Sequence, residues 1–593
     1  MNALNKKVIA GLLLVALTAC GTSEDSAASF VESGKELLAE GKTEKARLEF
    51  KNAIQVDPRQ AAPYYQLALI DEKDQKWRGM FANLTTVEQL DPNHHEAIIK
   101  LGQIYLLSNN FEVASEKANK VIGADNSNIL AWVLRASIFM KQEQFDAAMS
   151  DINQALSLDA ENIEALSVKT LILNLQGQAK QALAVIDQAL ELEPEQLPLT
   201  MIKISILEQQ KNYSEMESIY RALQLKYNDA SWVVISLAKL FNSQGRYDDA
   251  KQVLTAFVAD NGDDLQAKLL LVSLIETKSS AEAIQLLDGY IEAQPDNFDL
   301  RFSRIRLYLD GNNIDPAIAE LELVAEMDID GSYARRSNVM LANFEFQQGE
   351  FDEANTRLSL VLSAEPEDEA ALLLKARIEL INKDIDAAVT DLRIVLRNNP
   401  DSDQAFVLLA QAYMNSGSSE LADDNFRQAL AANPSNVTAA LSVANSMMQA
   451  RDLNRTEEVL TNALKGSGDK EALLRALAQV KIMKKDWLGT ESIVESLRID
   501  KKDTALTYFL SGQISQGQAY YENAIEEYSA ALEMRPDLTR ALQGLAFSYL
   551  QLGQKEQLVS YLTAFLDKNP TQLSGYGVLS NVYMQNKEWE NAV

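Results

Sequence analysis

The side chains that most often carry catalysis or bind metals are scarce in this sequence. Its 593 residues include two histidines and one cysteine. His94 and His95 are adjacent, whereas a zinc pair on one helix face needs a spacing near i, i+4. The Gly-Ser-Gly segment at 466–468 lacks the remaining glycines and the lysine of a phosphate-binding loop. We therefore predict no catalytic residue, no metal site and no cofactor, and a binding protein rather than an enzyme.

Cys20 is the one residue whose surroundings predict a chemical modification. Two lysines and an apolar run at 8–17 precede the sequence Leu-Thr-Ala-Cys-Gly at 17–21. The run is too short to span a bilayer as a stable helix. This arrangement resembles the lipobox of bacterial lipoproteins, which implies a signal peptide at 1–19 and acylation of Cys20. The alternative is an ordinary signal peptide in which the cysteine falls by chance.

The same resemblance implies a location. Residues 20–26 would form an acylated tether, and several acyl chains anchor a protein stably to a membrane. Gly21 follows the cysteine, in place of the Asp that retains such lipoproteins in the inner membrane. The pattern is typical of attachment to the periplasmic face of the outer membrane.

Composition limits the possible partners. The chain has 85 acidic and 55 basic residues, and its formal net charge is -30. Because such a surface repels phosphate backbones, we predict no nucleic-acid binding. The acidic surface either selects basic or neutral partners or only keeps the chain soluble.

A proline ladder indicates the elements that must position any site. With one exception, the intervals between successive prolines of the ladder are multiples of 34 residues, and Pro295 lies one residue short of the frame. Proline ends helices because it lacks a backbone donor and clashes with the preceding turn. The ladder prolines are Pro58, Pro92, Pro194, Pro366, Pro400, Pro434, Pro536 and Pro570.

Within each unit, small and large apolar residues recur in a pattern that resembles the tetratricopeptide repeat (TPR). One repeat carries Trp132, Ala136, Phe139, Ala148, Ile152 and Ala155, and another carries Phe406, Leu409, Ala410, Tyr413, Ala422, Phe426, Ala429 and Pro434. The resemblance implies an all-α fold, a right-handed superhelical solenoid of about 16 helix-turn-helix repeats.

Two slips in the period predict the domain organisation. The period shortens near residue 279 and then gains about three residues near 330–334. We expect a first TPR sub-array at 27–297, a degenerate repeat and irregular junction at 298–334, and a second sub-array at 335–593. The last five residues would begin a helix that the sequence does not complete, so we expect the chain to be truncated within its last repeat.

The junction is locally basic. Its arginines are either a docking site for an anionic partner or members of internal salt bridges. They are Arg301, Arg304, Arg306, Arg335 and Arg336.

The resemblance also implies a binding surface, because positions 2, 5, 9 and 12 of the first helix line the concave groove of TPR proteins. Position 9 holds a side-chain amide in four successive repeats, at Gln411, Asn445, Gln479 and Gln513. Such a column either pairs with the backbone of an extended peptide or only keeps the groove hydrated. The neighbouring groove positions Met414, Met448, Arg475 and Phe509 would add further, mostly apolar, contacts.

These features predict a lipid-anchored, periplasm-facing scaffold that binds envelope proteins or extended peptides and touches the membrane through its acyl chains. Segment 48–54, Leu-Glu-Phe-Lys-Asn-Ala-Ile, resembles repeats of TPR lipoproteins associated with the PEP-CTERM/exosortase sorting system, and others of this design assist exopolysaccharide export. The alternative is the substrate-selecting arm of a larger enzyme or secretion protein whose C-terminal module is missing from this sequence.

Overall fold

The computed structural model describes residues 23–329, 331–466, 470–499 and 503–585. These residues form 33 helices and no strand, which confirms the predicted all-α fold of helix pairs. The chain divides into two compact units, Met1–Ile275 and Glu276–Val593. The predicted signal peptide, Cys20 and the last five residues lie outside the described ranges.

Sixteen helix pairs and one further helix follow one another along the described residues. Odd-numbered helices are the first helix of a repeat (helix A) and even-numbered ones the second (helix B). In the first unit the helices are α1 (Ser23–Ala39), α2 (Thr43–Val56), α3 (Ala61–Lys73), α4 (Trp77–Leu90), α5 (His95–Leu107), α6 (Phe111–Ala124), α7 (Ile129–Lys141), α8 (Phe145–Leu158), α9 (Ile163–Leu175), α10 (Ala179–Leu192), α11 (Leu197–Gln209), α12 (Tyr213–Lys226), α13 (Ser231–Ser243), α14 (Tyr247–Asp260) and α15 (Leu265–Glu276), whose last residue belongs to the second unit.

The second unit continues the alternation. Its helices are α16 (Ser280–Ala293), α17 (Phe298–Asp310), α18 (Ile314–Met327), α19 (Ser332–Gln348), α20 (Phe351–Ala364), α21 (Glu369–Ile381), α22 (Ile385–Asn398), α23 (Asp403–Asn415), α24 (Ser419–Ala432), α25 (Val437–Gln449), α26 (Leu453–Leu464), α27 (Lys470–Met483), α28 (Trp487–Ile499), α29 (Ala505–Gly517), α30 (Tyr521–Met534), α31 (Thr539–Gln551), α32 (Lys555–Lys568) and α33 (Leu573–Gln585).

In all described turns from helix A to helix B except the one at 277–279, one residue adopts the left-handed conformation. Fifteen such residues occur in the described ranges, and six of them are glycine. In the turn at Asn109, the amide of Asn110 donates to the carbonyl of Tyr105 at 2.9 Å and the amide of Asn109 donates to Leu106 at 3.1 Å. These bonds satisfy carbonyls at the end of helix A, so the turn both ends one helix and starts the next.

The turn from helix B back to helix A uses Asp and Asn side chains. Asp57, directly before Pro58, accepts a bond from the amide of Arg59 at 3.1 Å. At the start of α9, the side chain of Asn162 accepts from the amide of Ala165 at 3.0 Å. The side chain thus replaces the helical bonds that proline and the helix start leave open.

Small and large residues alternate where the two helices of a pair cross. A Cβ placed on Gly34 would lie 2.5 Å from the ring of Phe50 in the next helix, and a Cβ on Gly512 would lie 2.6 Å from Tyr528. The corresponding position of α7 holds Ala136, which is fully buried in a cluster with Ile152. At these two positions, glycine leaves space for a large aromatic ring of the partner helix.

The two predicted slips in the 34-residue period correspond to a shortened turn and a lengthened helix. Residues 277–279 shorten one turn, and the hydroxyl of Ser279 accepts from the amide of Glu282 at 3.2 Å to begin α16. The extra residues before 335 extend α19 to 17 residues, and the side chain of Asp328 accepts from the amides of Tyr333 and Ala334 at 2.9 and 3.1 Å. The added residues thus begin a longer helix with its own cap.

Candidate functional site

A groove in the second unit runs across successive helices A. Two adjoining cavities, of about 680 and 670 Å³, lie along it, and Arg377 and Gln404 line both. Helices α17, α19, α21, α23 and α25 and the turns before α23 and α25 supply the lining. Half of the lining residues lie at positions 2, 5, 9 and 12 of their repeats, as Val407 and Gln411 of α23 do. The positions that the resemblance assigned to the groove therefore face one surface here.

A repeated bracket of hydrogen bonds fixes the helices that carry the groove. The carboxylate of Glu369, the first residue of α21, accepts from the hydroxyl of Ser402 at 2.8 Å and from the amide group of Asn399 at 3.0 Å. In the next repeat, Asp403 accepts from Asn433 at 2.7 Å and from Asn436 at 2.8 Å. Each bracket joins the start of one helix A to the residues that precede the next, which holds successive helices A in one register.

The four residues of the predicted amide column share one repeat position but differ in exposure. Gln411 lines the larger cavity. Asn445 and Gln479 are exposed, and Gln513 is half-buried.

Sequence reasoning missed two further members of the column. Asn343 and Arg377 lie at the same repeat position as Gln411, at successive intervals of 34 residues toward the N-terminus. Both line the cavities. The 34-residue spacing was the signal that could have identified them.

The four predicted neighbours of the column differ in what they contact. Met414 is 58% exposed, and Met448 is half-buried against the core of the following repeats. Phe509 packs with its ring centroid 6.1 Å from that of Tyr528. Arg475 is exposed and forms an ion pair with Glu471 at 3.2 Å.

Charged side chains beneath the groove pair with one another. The ammonium group of Lys375 binds the carboxylates of Asp391 and Glu379, the latter at 3.0 Å. Burial raises the pKa of Glu379, although the bond from Lys375 opposes this shift. These contacts join α21 to α22 and keep the three charges within the protein.

The basic junction residues make contacts inside the second unit. Arg301 is 6% exposed and binds Glu320 at 2.7 Å, and Arg304 binds the same carboxylate and Asp288 at 2.5 Å. Arg306 pairs with Glu276 at 2.6 Å. The guanidinium of Arg336 lies 4.2 Å from the ring centroid of Phe302, and Arg335 lines a separate cavity of about 610 Å³. Arg301, Arg304 and Arg306 thus have internal carboxylate partners, the second of the two interpretations of this patch.

The histidines have structural contacts. The ring of His94 caps α5 by accepting from the amide of Ala97 at 3.4 Å, and it lies 4.4 Å from the ring of Tyr65. The described part of the chain contains no group of three His, Cys, Asp or Glu side chains that could hold a metal ion. None of its helices combines the length and the apolar character needed to cross a membrane.

Comparison with solved structures gave low overall similarity. The chain is similar to a protein of the APC/C hetero-tetramer Cut9-Hcn1, at 13% identity over 88% of this chain and 96% of the other, with a TM-score of 0.32. It is also similar to a chain of Naa15/Naa10 bound to HypK-THB, at 14% identity, 90% and 92% coverage and a TM-score of 0.31. A TPR protein from Parabacteroides merdae covers 42% of this chain over 98% of its own length, at 18% identity and a TM-score of 0.29. At these TM-scores the likeness supports no conclusion about this chain, and a search of curated proteins gave no match.

Family models gave a more specific result. Two models, both described as tetratricopeptide repeat, match this chain, one at 235–298 and 339–405 and the other at 129–162, 403–436 and 505–538. Each stretch of the second model spans one helix A and one helix B. The matched stretches are tetratricopeptide repeats, and the other described helix pairs continue the same TPR-like arrangement of helix A, turn and helix B.

Proposed function

We propose that this protein is a scaffold that binds extended segments of partner proteins in the groove of its second unit. The observation that carries the proposal is the column of polar side chains along the groove, one per repeat. Gln404 and Gln411 have no hydrogen-bond partner within the described residues and line the cavities. An amide group donates and accepts, so it can pair with a peptide backbone of any sequence.

Apolar side chains beside the column would receive side chains of the bound segment. Leu373, Val407 and Leu408 line the cavities and are each less than 10% exposed. Ile381 at the rim of the larger cavity is 49% exposed. A polar column between apolar walls matches a peptide, whose backbone is polar and whose side chains alternate in direction.

We further propose that Cys20 carries the lipid anchor and that the protein faces the periplasm from the outer membrane. Support comes from the lipobox-like sequence at 17–21 and from Gly21 after the cysteine. In this setting the partners are envelope proteins, and the resemblance of segment 48–54 favours a role in PEP-CTERM protein sorting or exopolysaccharide export.

Site-specific photocrosslinking in the native cells tests the groove. A photoreactive phenylalanine analogue would replace Gln411 in one strain and Gln428, an exposed amide on helix B of the same repeat, in another. We expect a discrete adduct from position 411 that disappears after Asn445→Ala and Gln479→Ala, and no such adduct from position 428. Equal adducts from both positions, or an adduct unaffected by the alanine substitutions, would contradict the groove as the binding surface.

Metabolic labelling with an alkyne analogue of palmitate tests the anchor. We expect label on the wild-type protein and none on Cys20→Ala, which should also leave the membrane fraction. Label on Cys20→Ala would refute acylation at this residue. The two experiments are independent. Crosslinking at position 411 reports on peptide binding in the groove, and the palmitate label reports on acylation of Cys20.

A further inference from the structure

One arginine of the groove has no hydrogen-bond or ion-pair partner among the described residues. Arg377 lies on α21 between the two cavities and lines both. Its side chain is exposed and makes no ion pair or hydrogen bond within the described residues. The chain as a whole has an excess of 30 acidic over basic side chains, so carboxylates are abundant.

Four acidic side chains near Arg377 bind other groups. Glu369 and Asp403, which line the second cavity, accept the bracket hydrogen bonds from the following turns. Asp391 and Glu379 bind Lys375, two residues before Arg377 on the same helix. None of these four carboxylates binds Arg377, which leaves the guanidinium open to the groove. Asp401, which also lines the second cavity, is exposed and makes no ion pair within the described residues.

We infer that the groove selects peptide segments with an Asp or Glu side chain at the position facing Arg377. This inference rests on the proposed peptide-binding function and adds a specificity to it. A guanidinium binds a carboxylate with two parallel hydrogen bonds, and such pairs fix both position and orientation. The neighbouring amides of Gln404 and Gln411 would then hold the backbone on either side of the acidic residue.

Helix spacing sets the pattern of the ligand. Packed helices lie about 8–10 Å apart, and an extended peptide rises about 3.3 Å per residue, so one repeat corresponds to roughly three peptide residues. The acidic residue would lie about three residues from the one whose backbone contacts Gln411, and about three from the one that contacts Asn343. The apolar walls at Leu373 and Val407 favour an apolar residue beside the acidic one, a feature that an anionic polysaccharide lacks.

The test is a selection of phage-displayed random dodecapeptides on the detergent-solubilised full chain. Selected peptides, resynthesised with fluorescein, would be measured by fluorescence anisotropy against wild type, Gln411→Ala, Arg377→Gln and Arg393→Gln. Arg393 is the matched control, because it is an exposed arginine on the next helix that lines neither cavity and has no partner within the described residues. Circular dichroism checks that each variant keeps its helices.

We expect one Asp or Glu at a fixed distance from an apolar residue in the selected peptides. Arg377→Gln should weaken binding about tenfold, as for a lost hydrogen bond between charged groups, and Arg393→Gln should leave it unchanged. Changing the acidic residue of the peptide to its amide should cause the same loss on wild type and little further loss on Arg377→Gln. Higher salt should reduce the affinity of wild type more than that of Arg377→Gln.

Three results would overturn the inference. Peptides that require Gln411 but bind Arg377→Gln as tightly as wild type would leave the proposed function standing without the acidic specificity. A selection without any peptide sensitive to Gln411→Ala would remove both the inference and the peptide groove. Alginate oligosaccharide that binds wild type and not Arg377→Gln, with acidic peptides unaffected by the change, would assign Arg377 to an anionic polysaccharide.

Discussion

Replacing Gly512 with alanine tests whether close approach of the helices decides local stability. Gly512 of α29 and Gly544 of α31 lie against the ring of Tyr528 in α30 from two sides. Tyr528 is 2% exposed, and its hydroxyl donates to the side chain of Gln516 at 2.7 Å. A Cβ on Gly512 would lie 2.6 Å from the ring, and one on Gly544 would lie 2.5 Å from it.

The geometry gives the expected magnitude. Carbon atoms in contact are about 3.5–4.0 Å apart, so the ring would have to withdraw by about 1 Å toward Gly544, where the backbone leaves no room. Overpacking of this kind costs about 1–3 kcal/mol, and the gain in helix propensity returns about 0.5–1 kcal/mol. We expect Gly512→Ala to lower the free energy of local unfolding by about 1–2 kcal/mol, which corresponds to roughly 5–30-fold faster opening.

Hydrogen exchange of the intact chain, read by mass spectrometry on peptides from α29 to α31, measures this change. The matched control is Gly289→Ala in α16, where an added Cβ meets nothing within 4 Å. The control should slow local exchange, because alanine favours the helix by about 0.5–1 kcal/mol. The same substitution thus has opposite expected effects at two glycines.

A second substitution separates steric overlap from other causes. Tyr528→Leu removes the ring that the new methyl group would strike, so Gly512→Ala should cost at least about 1 kcal/mol less in that background. The reasoning would be refuted if Gly512→Ala exchanged as slowly as wild type. Equal costs of Gly512→Ala in both backgrounds would refute it as well.

Three further predictions follow from other features of the fold. Lys211 has a φ of 54°, in the left-handed region that strains any residue other than glycine. Lys211→Gly should therefore remove about 1 kcal/mol of backbone strain and raise the melting temperature measured by circular dichroism. Gly177→Ala, at a φ of 75°, should introduce the same strain and lower the melting temperature. Burial raises the pKa of Glu88, but hydrogen bonds from two lysines outweigh it and hold this pKa below its ordinary value of 4.5. The stabilisation by Glu88 should therefore be complete at neutral pH and be lost as the pH falls through the lowered pKa. The difference in melting temperature between wild type and Glu88→Gln should then vanish in acid. A difference that persists in acid would contradict the stabilising ion pairs of Glu88. Glu320→Ala should cost about 3–5 kcal/mol of local stability in hydrogen exchange of α17 and α18. The reason is that the buried Arg301 loses its carboxylate partner and keeps only its bond to the carbonyl of Pro295. A cost near that of an exposed ion pair, below about 1 kcal/mol, would argue against a buried pair.

The repeat unit could be predicted from sequence because its ends have strong local chemistry. Proline and the acidic or amide residue before it recur at one position, and the structure shows that residue closing the turn, as Asp57 does. The turn from helix A to helix B is marked less clearly. Nine of its fifteen left-handed residues are not glycine, among them Lys211 and Arg451, since one strained residue per turn is offset by the packing of the pair.

The groove was only partly predictable. The 34-residue spacing places Gln411 and Arg377 on the same helix face. A pattern of side-chain amides does not include Arg377, because the arginine interrupts the amides at this repeat position. Spacing also does not fix rotamers, so Phe509 packs with Tyr528 in the core rather than standing clear in the groove. Whether an arginine is paired depends on side chains from other repeats, which no single repeat reveals.

The contact between a glycine of one helix and an aromatic ring of its partner helix also affects how the chain folds. Repeats of similar sequence can mispair during folding, with a helix A from one repeat joining a helix B from another. Tyr528 fits against Gly512, where a single added Cβ would overlap its ring. The Gly34–Phe50 pair makes the same demand at the other end of the chain. The close fit at these two pairs therefore favours assembly of α1 with α2 and of α29 with α30 over pairing with other helices of the array.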